Sequence, residues 1–264
     1  MKVFHCSHCR HVVFFENTQC VSCGFKLAFV PELAAMAALE PVADLWRICA
    51  RSGARRRFRL CRNYSAENVC NWVVAAEDPD PLCESCRLTQ VIPNLGLNGN
   101  REAWFKLEAA KRRLMYSLRQ LRCPIEARSI DPEHGLAYEF LSDADAKTPV
   151  LTGHARGVIT VNIAEANDAE RERRRLEMGE PYRTLLGHFR HEIGHYYWEL
   201  LVCESPRIEQ FRQLFGDERA DYAAALKAHY EKGPPEDWPE RFVSAYAASH
   251  PWEDWAESWA HYLH

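Results

Sequence analysis

The stretch RHEIGHYYWELL, residues 190–201, places two histidines four apart with a glutamate directly after the first. On a helix, positions four apart lie one turn along the axis and about 40° round it, so His191 and His195 project from one face. Two imidazoles placed in this way can reach a single zinc ion at about 2.0–2.1 Å. Glu192 points about 100° away, beside the metal rather than onto it. From there it can take a proton from a zinc-coordinated water and pass it to a leaving amine, which is metal-assisted hydrolysis. The plainer reading is an aromatic-rich core helix with hydrogen-bonded histidines. Gly194 speaks against it, because glycine costs a helix about 1 kcal/mol relative to alanine and suggests that something packs closely there.

A catalytic zinc takes a third protein ligand and leaves its fourth position to water. Glu199 continues the histidine face, but ligands strung over two turns are too far apart to converge. The stretch SHPWEDWAESWAHYLH supplies a second helix, opened by Pro251. Glu253, Glu257 and His261 share one of its faces, and Trp252, Trp255 and Trp259 anchor the other. Glu253 is the first choice for the third ligand. Glu257 is the alternative, and Glu218 and Asp221 of GDERAD follow. The plain reading of Glu253 is a capping-box glutamate behind Ser249 or His250. Hydrolysis also needs an electrophile for the oxyanion, and Tyr246 and His250 stand just upstream. Tyr246, within VSAYAASH, equally fits a core position.

Eleven cysteines is an odd number, and their spacing suits metal rather than a paired disulfide framework. Cys6, Cys9, Cys20 and Cys23 form two Cys-x-x-Cys knuckles, a structural zinc site with all four positions filled. Cys61, Cys70, Cys83 and Cys86 contain one knuckle and read as a second structural zinc, against the alternative of buried free thiols. Cys49, Cys123 and Cys203 are left over, and His5, His8 and His11 read as bystanders.

The elements that must position these groups follow from periodicity. Residues 1–30 alternate short β-prone runs with the knuckles and have too few apolar residues for a core of their own, so metal must hold them. Residues 31–50 carry Leu33, Met36, Ala37, Leu45 and Ile48 at helical spacing and predict a helix broken near Pro41. REAWFKLEAAKRRLMYSLRQL predicts a long amphipathic helix with Trp104, Leu107, Ala110, Leu114 and Leu118 on one stripe and Pro124 past its end. HARGVITVNI alternates as a strand does. Residues 165–175 are helix-compatible and solvent-facing. Helices are predicted at 184–201, 206–230, 239–248 and 251 to the end, where WAHYLH shows no stop signal and the helix is expected to run past His264.

The 264 residues are 47% hydrophobic, enough for a large domain with smaller ones. No cleavable leader pattern and no apolar run of about 18 residues is present, so the expectation is a soluble cytoplasmic protein without a membrane partner. The net charge of -4 gives no general attraction to nucleic acid or anionic lipid. One local cluster, RSGARRRFRLCR, gathers Arg51, Arg55, Arg56, Arg57, Arg59 and Arg62 around Phe58 and keeps a nucleic-acid-binding alternative in view.

The two-helix arrangement resembles the gluzincin metallopeptidases, whose second helix carries Glu-x-x-x-Asp/Glu. EDWAE matches that pattern, so the resemblance implies Glu253 as zinc ligand and Glu257 as the acceptor that orients His191. A related gluzincin has a tyrosine as far upstream of its zinc glutamate as Tyr246 stands from Glu253, which implies Tyr246 as the electrophile. More closely, CNW, CRLT, LEAAKRRL, TGHARGVITVNIAEAND, EPYRTLLGHFRHEIGHYYWELL, FGDERADYAAAL and HPWEDWAESWAHYLH resemble a bacterial family of zinc-binding metallopeptidases with an N-terminal zinc ribbon.

The expected architecture is α+β: a zinc ribbon at 1–30, a linker helix and second zinc module at 31–100, and a mostly helical, zincin-like, gluzincin-like domain at 101–264. The resemblance implies one catalytic and one or two structural zinc ions and a peptide or protein substrate. Relatives encoded beside peptide-ligating and transglutaminase-like enzymes imply a peptide or isopeptide bond as target. In gluzincins an edge strand pairs with the substrate backbone, and GVITVNI is the candidate. The ribbon offers a surface for a protein partner. The alternative is a zinc-ribbon nucleic-acid-binding or adaptor protein with an inactive peptidase fold, and Glu192 speaks against inactivity.

Overall fold

A computed structural model describes residues 2–49, 56–144, 148–169, 171–173 and 184–264. Strands β1 (Phe4–His5) and β2 (Val12–Val13) pair antiparallel around the first knuckle. An antiparallel meander follows: β3 (Lys26–Val30), β4 (Ala35–Val42), β5 (Leu45–Ile48), β6 (Arg57–Leu60) and β7 (Val73–Ala75), neighbours in chain order. Phe29 of β3 bridges to Trp72 beside β7, so the sheet curls back on itself around the buried Leu27, Phe29, Leu39, Phe58 and Trp72.

The helix predicted for residues 31–50 is therefore corrected to β4 and β5. Met36, Ala37, Ala38 and Leu39 are buried in succession. A strand covered on both faces reads as a continuous apolar run, and such a run carries no period that separates strand from helix. Ala50, Arg51 and Arg55 lie outside the described residues.

The second cysteine group is threaded through the end of the meander. Cys61 follows β6, Cys70 precedes β7, and Cys86 opens a 3-10 turn (Cys86–Leu88) that runs directly into β8 (Thr89–Val91). That strand belongs to another sheet, with β9 (Ala137–Leu141), β10 (Gly153–Ala155) and β11 (Val158–Asn162), ordered β10-β11-β9-β8. β9 is parallel to β8 and β11, and β10 lies antiparallel on the outer side of β11. HARGVITVNI is thus a hairpin, turned by Arg156 and Gly157 at φ of 46° and 77°. GVITVNI, expected as the substrate-facing edge, is instead paired on both sides; among the described residues the edge strand beside it is β10, and β8 forms the opposite edge.

Helix α1 (Asn100–Gln120) buries Trp104, Leu107, Ala110, Leu114 and Leu118, the stripe its period predicts. Helix α2 (Leu185–Trp198) is capped by Thr184, whose hydroxyl accepts from the Gly187 amide at 2.9 Å, and it continues as a π turn (Glu199–Cys203). The single helix predicted over 206–230 is two, α3 (Ile208–Phe215) and α4 (Tyr222–Lys232). Gly216 separates them at φ 104°, a conformation side-chain-bearing residues rarely adopt. The helix predicted over 239–248 reduces to one turn (Trp238–Arg241) and a 3-10 turn (Ala247–Ser249). Helix α5 (Pro251–Tyr262) follows. Of the helix-compatible stretch 165–175, residues 170, 174 and 175 lie outside the described residues. Among the described residues, no helix is long and apolar enough to cross a membrane.

Candidate metal centre

The site is built where α2 and α5 touch. A Cβ added at Gly194 would lie 3.0 Å from the Cα of Ala256 and 3.2 Å from the Cβ of Trp259, so only glycine lets the two helices approach this far. The Trp255 indole N–H donates to the Gly194 carbonyl at 2.9 Å, and Trp259 stacks on Tyr197 at 4.9 Å. Trp252 packs its ring 4.6 Å from that of His195. Three tryptophans thus fix α5 along α2, and the acids between them arrive at a set position.

His191, His195 and Glu253 converge as a candidate ligand set. The two Nε2 atoms are 3.2 Å apart, and Oε2 of Glu253 lies 3.0 Å from Nε2 of His191 and 3.6 Å from Nε2 of His195. Zinc bonds of about 2.0–2.1 Å in a tetrahedron put ligand atoms about 3.3–3.4 Å apart, so this triangle fits the ion. Oε2 is buried and has no aligned hydrogen-bond donor among the described residues, an orphan that a cation would satisfy. Burial works to raise the Glu253 carboxyl, yet the two imidazoles outweigh it and hold it below its ordinary range. Burial works to lower His191, and its two carboxylate partners outweigh that and raise it.

Glu257 stands behind the ligands. His191 donates from Nδ1 to Glu257 Oε1 at 2.7 Å, and the Ser244 hydroxyl donates to Oε2 of the same carboxylate at 2.7 Å. This directs Nε2 of His191 forward, as expected for a metal-binding histidine. Glu253 does not serve as a capping glutamate: its two oxygens face the Tyr222 hydroxyl and His191, and His250 caps α5 with its own Nδ1, which accepts from the Trp252 amide at 3.1 Å.

Glu192 is nearly buried on the same helix. The Tyr246 ring lies 6.0 Å from that of His191. Burial first, then the carboxylate of Glu253, pushes the Tyr246 phenol far up and keeps it protonated. Glu218 and Asp221 are elsewhere: Glu218 is bound by Arg212 at 2.6 and 3.0 Å, and Asp221 caps α4 by accepting from the Ala224 amide at 3.0 Å. Glu199 lies 3.6 Å from His154 of β10, whose Nε2 also accepts from the Gly157 amide at 3.0 Å, so the β10–β11 hairpin meets the end of α2 at this histidine. His261 is exposed. Sequence reasoning missed Tyr222, Ser244 and His154, none of which stands in periodic register with the histidine motif.

Residues 100–264 match a family model described as "Putative zinc-binding metallo-peptidase". The chain belongs to this family. A zinc-ribbon domain model matches residues 3–97. Among curated proteins, one uncharacterized protein of Mycobacterium bovis and one of Mycobacterium tuberculosis are each 45% identical over 265 residues, covering 100% of this chain and 73% of the relative. No solved structure matches the chain significantly.

Zinc binding in this family is in keeping with both cysteine groups. Sγ of Cys6 lies 3.7 Å from Cys23, Cys9 lies 3.6 Å from Cys20, and Cys70 lies 3.7 Å from Cys83. Zn–S bonds of about 2.3 Å in a tetrahedron give edges of about 3.8 Å. In the first group Arg10 and Gly24, just past each knuckle, take φ of 67° and 74°, and their amides donate to the carbonyls of Cys6 and Cys20, both at 2.9 Å, which closes each knuckle. The amide of His11 brings Cys9 down to about 6. His8 stacks on Phe25 at 4.3 Å, outside the sulfur quartet. The second group is fully buried, with amides of Trp72 and Cys83 donating to Cys70 and Cys61 at 3.4 and 3.3 Å.

Proposed function

We propose that the chain is a cytoplasmic, gluzincin-like zinc peptidase with a zincin-type site that hydrolyses a peptide or isopeptide bond. The observation that carries this reading is the triangle of His191, His195 and Glu253 with Glu257 braced behind His191. A zinc ion held there would supply Lewis acidity, bringing a coordinated water to a pKa of about 7. Glu192, beside the ligands and nearly buried, takes the proton of the attacking water and delivers it to the leaving nitrogen. Tyr246, kept protonated, donates to the oxyanion. Strand β10, unpaired on its outer side among the described residues and packed on α2, offers backbone groups to an extended substrate.

The cysteine quartets hold structural zinc, and the cysteines, free of disulfides, suit a reducing compartment. The ribbon side is the proposed surface for a protein partner. Nucleic acid is no part of this proposal, because Arg56 is engaged by Glu32 and Glu77 at 3.4 and 3.0 Å, and Arg59 by the carbonyls of Asp78 and Asp80. The test is a peptide library analysed by mass spectrometry. Wild type is expected to release products, and Glu192→Gln to lose about 10²–10⁴-fold in rate while keeping its zinc. Equal cleavage by the two proteins would refute the assignment of Glu192.

A further inference from the structure

The phenol of Tyr222, the first residue of α4, donates to Oε1 of Glu253 at 2.6 Å. Glu253 is 1% exposed, and its other oxygen faces the two histidines. The two oxygens of one carboxylate therefore have different environments: Oε1 is taken by a hydroxyl and Oε2 is left for a cation.

The segment carrying Tyr222 is strapped to the same place by independent contacts. His250 caps α5 through Nδ1, and its Nε2–H donates to the Ala220 carbonyl at 3.1 Å, two residues before Tyr222. The Tyr222 ring meets His250 edge-on at 5.2 Å and Trp252 at 6.0 Å. Helix α4 itself has no buried residue, so the hydrophobic core does not fix its position. What fixes its N-terminus is a set of contacts that end on the third ligand of the candidate site.

We infer that Tyr222 is a positioning residue for Glu253: its hydroxyl occupies Oε1 and restricts the carboxylate to one ligand oxygen, Oε2. This rests on the reading of His191, His195 and Glu253 as a zinc site. A carboxylate that gives both oxygens to zinc fills a position that a catalytic site leaves to water, and partners behind a ligand are what set its orientation.

The test removes one oxygen atom. Wild type, Tyr222→Phe and the control Tyr262→Phe, altered at a residue 74% exposed near the end of α5, are treated with mild chelator to strip the labile site. Zinc affinity is then read by chelator competition, and cobalt(II) added to the stripped site is read by visible absorption. The expected result for Tyr222→Phe is about 10–100-fold weaker zinc binding and a weaker cobalt absorption, signalling a fifth ligand atom, with Tyr262→Phe matching wild type. Retention of the cysteine-bound zinc reports that the variant is folded. Affinity and spectrum equal to wild type in Tyr222→Phe would overturn the inference alone. Absence of any labile metal site in wild type would overturn the inference together with the reading it rests on.

Discussion

At the scale of single residues, the candidate centre depends on groups that never touch metal. Glu257 accepts from His191 at 2.7 Å and is itself held by Ser244. Replacing Glu257 with alanine frees the imidazole to rotate and lowers its basicity, so zinc affinity should fall about 10–100-fold in a chelator competition titration. Unchanged affinity would mean that Glu257 is an ordinary buried acid. His191, His195, Glu253 and Glu257 were legible in the sequence because positions four apart on a helix share a face whatever the helix packs against. Tyr222 and Ser244 were not, since each reaches the site only through tertiary contact across a loop. The substrate-facing edge was misplaced for a related reason. GVITVNI alternates cleanly, but alternation reports burial of one face, not whether a strand has a neighbour on each side.

At the scale of elements, the site is a helix–helix contact whose closeness is set by Gly194. Alanine there gains about 1 kcal/mol of helix propensity. It also drives a methyl group to 3.0 Å from the backbone of Ala256, where no flexible side-chain end can yield. Overpacking of this kind costs about 1–3 kcal/mol, so Gly194→Ala should be less stable in urea unfolding and should bind zinc more weakly as α5 moves off α2. Greater stability with unchanged zinc affinity would show that the helices do not need this approach. Helices α1, α2 and α5 were legible because each carries a long 3.6-residue period and a recognisable start. The strands at 35–48 were not, because Met36 to Leu39 are buried on both faces and show no period. The break between α3 and α4 rests on one residue, Gly216, whose φ of 104° is a property of the fold rather than of the pattern around it.

At the scale of the whole molecule, one continuous core runs from Phe4 in the ribbon to Tyr197 in α2, across the segments that sequence reasoning drew as separate modules. The spine of that core is α1. Its Tyr116 packs on Phe4, Phe15 and Phe29 at 6.1, 5.5 and 5.8 Å, and its Arg113 pairs with Glu16. Deeper in, Lys111 and Arg112 are buried beside Glu108 and the second cysteine group, and Arg112 donates to the Val69 carbonyl at 2.6 Å. Four thiolates on one zinc ion would leave a net charge of about −2, which Arg112 faces. Burial works against the charge of Arg112, but the sulfurs of Cys70, Cys86 and Cys83 and the carboxylate of Glu108 outweigh it and raise its pKa. Arg112→Met should therefore destabilise the entire chain by about 3–5 kcal/mol in denaturant unfolding and speed zinc loss from the second group. A stable variant with normal zinc retention would show that the cluster needs no compensating charge. None of this was visible as sequence, because a buried arginine and a surface arginine are the same letter within a helix.

The most direct measurement is zinc per chain by elemental analysis after brief mild chelation, for wild type, for His191→Ala with His195→Ala, and for Glu253→Ala. Before chelation wild type should carry about three zinc ions, and each variant about one fewer, with the cysteine-held zinc retained after chelation in all. Equal zinc in all three proteins at every stage would contradict the account and return the histidine motif to an ordinary helix of the core.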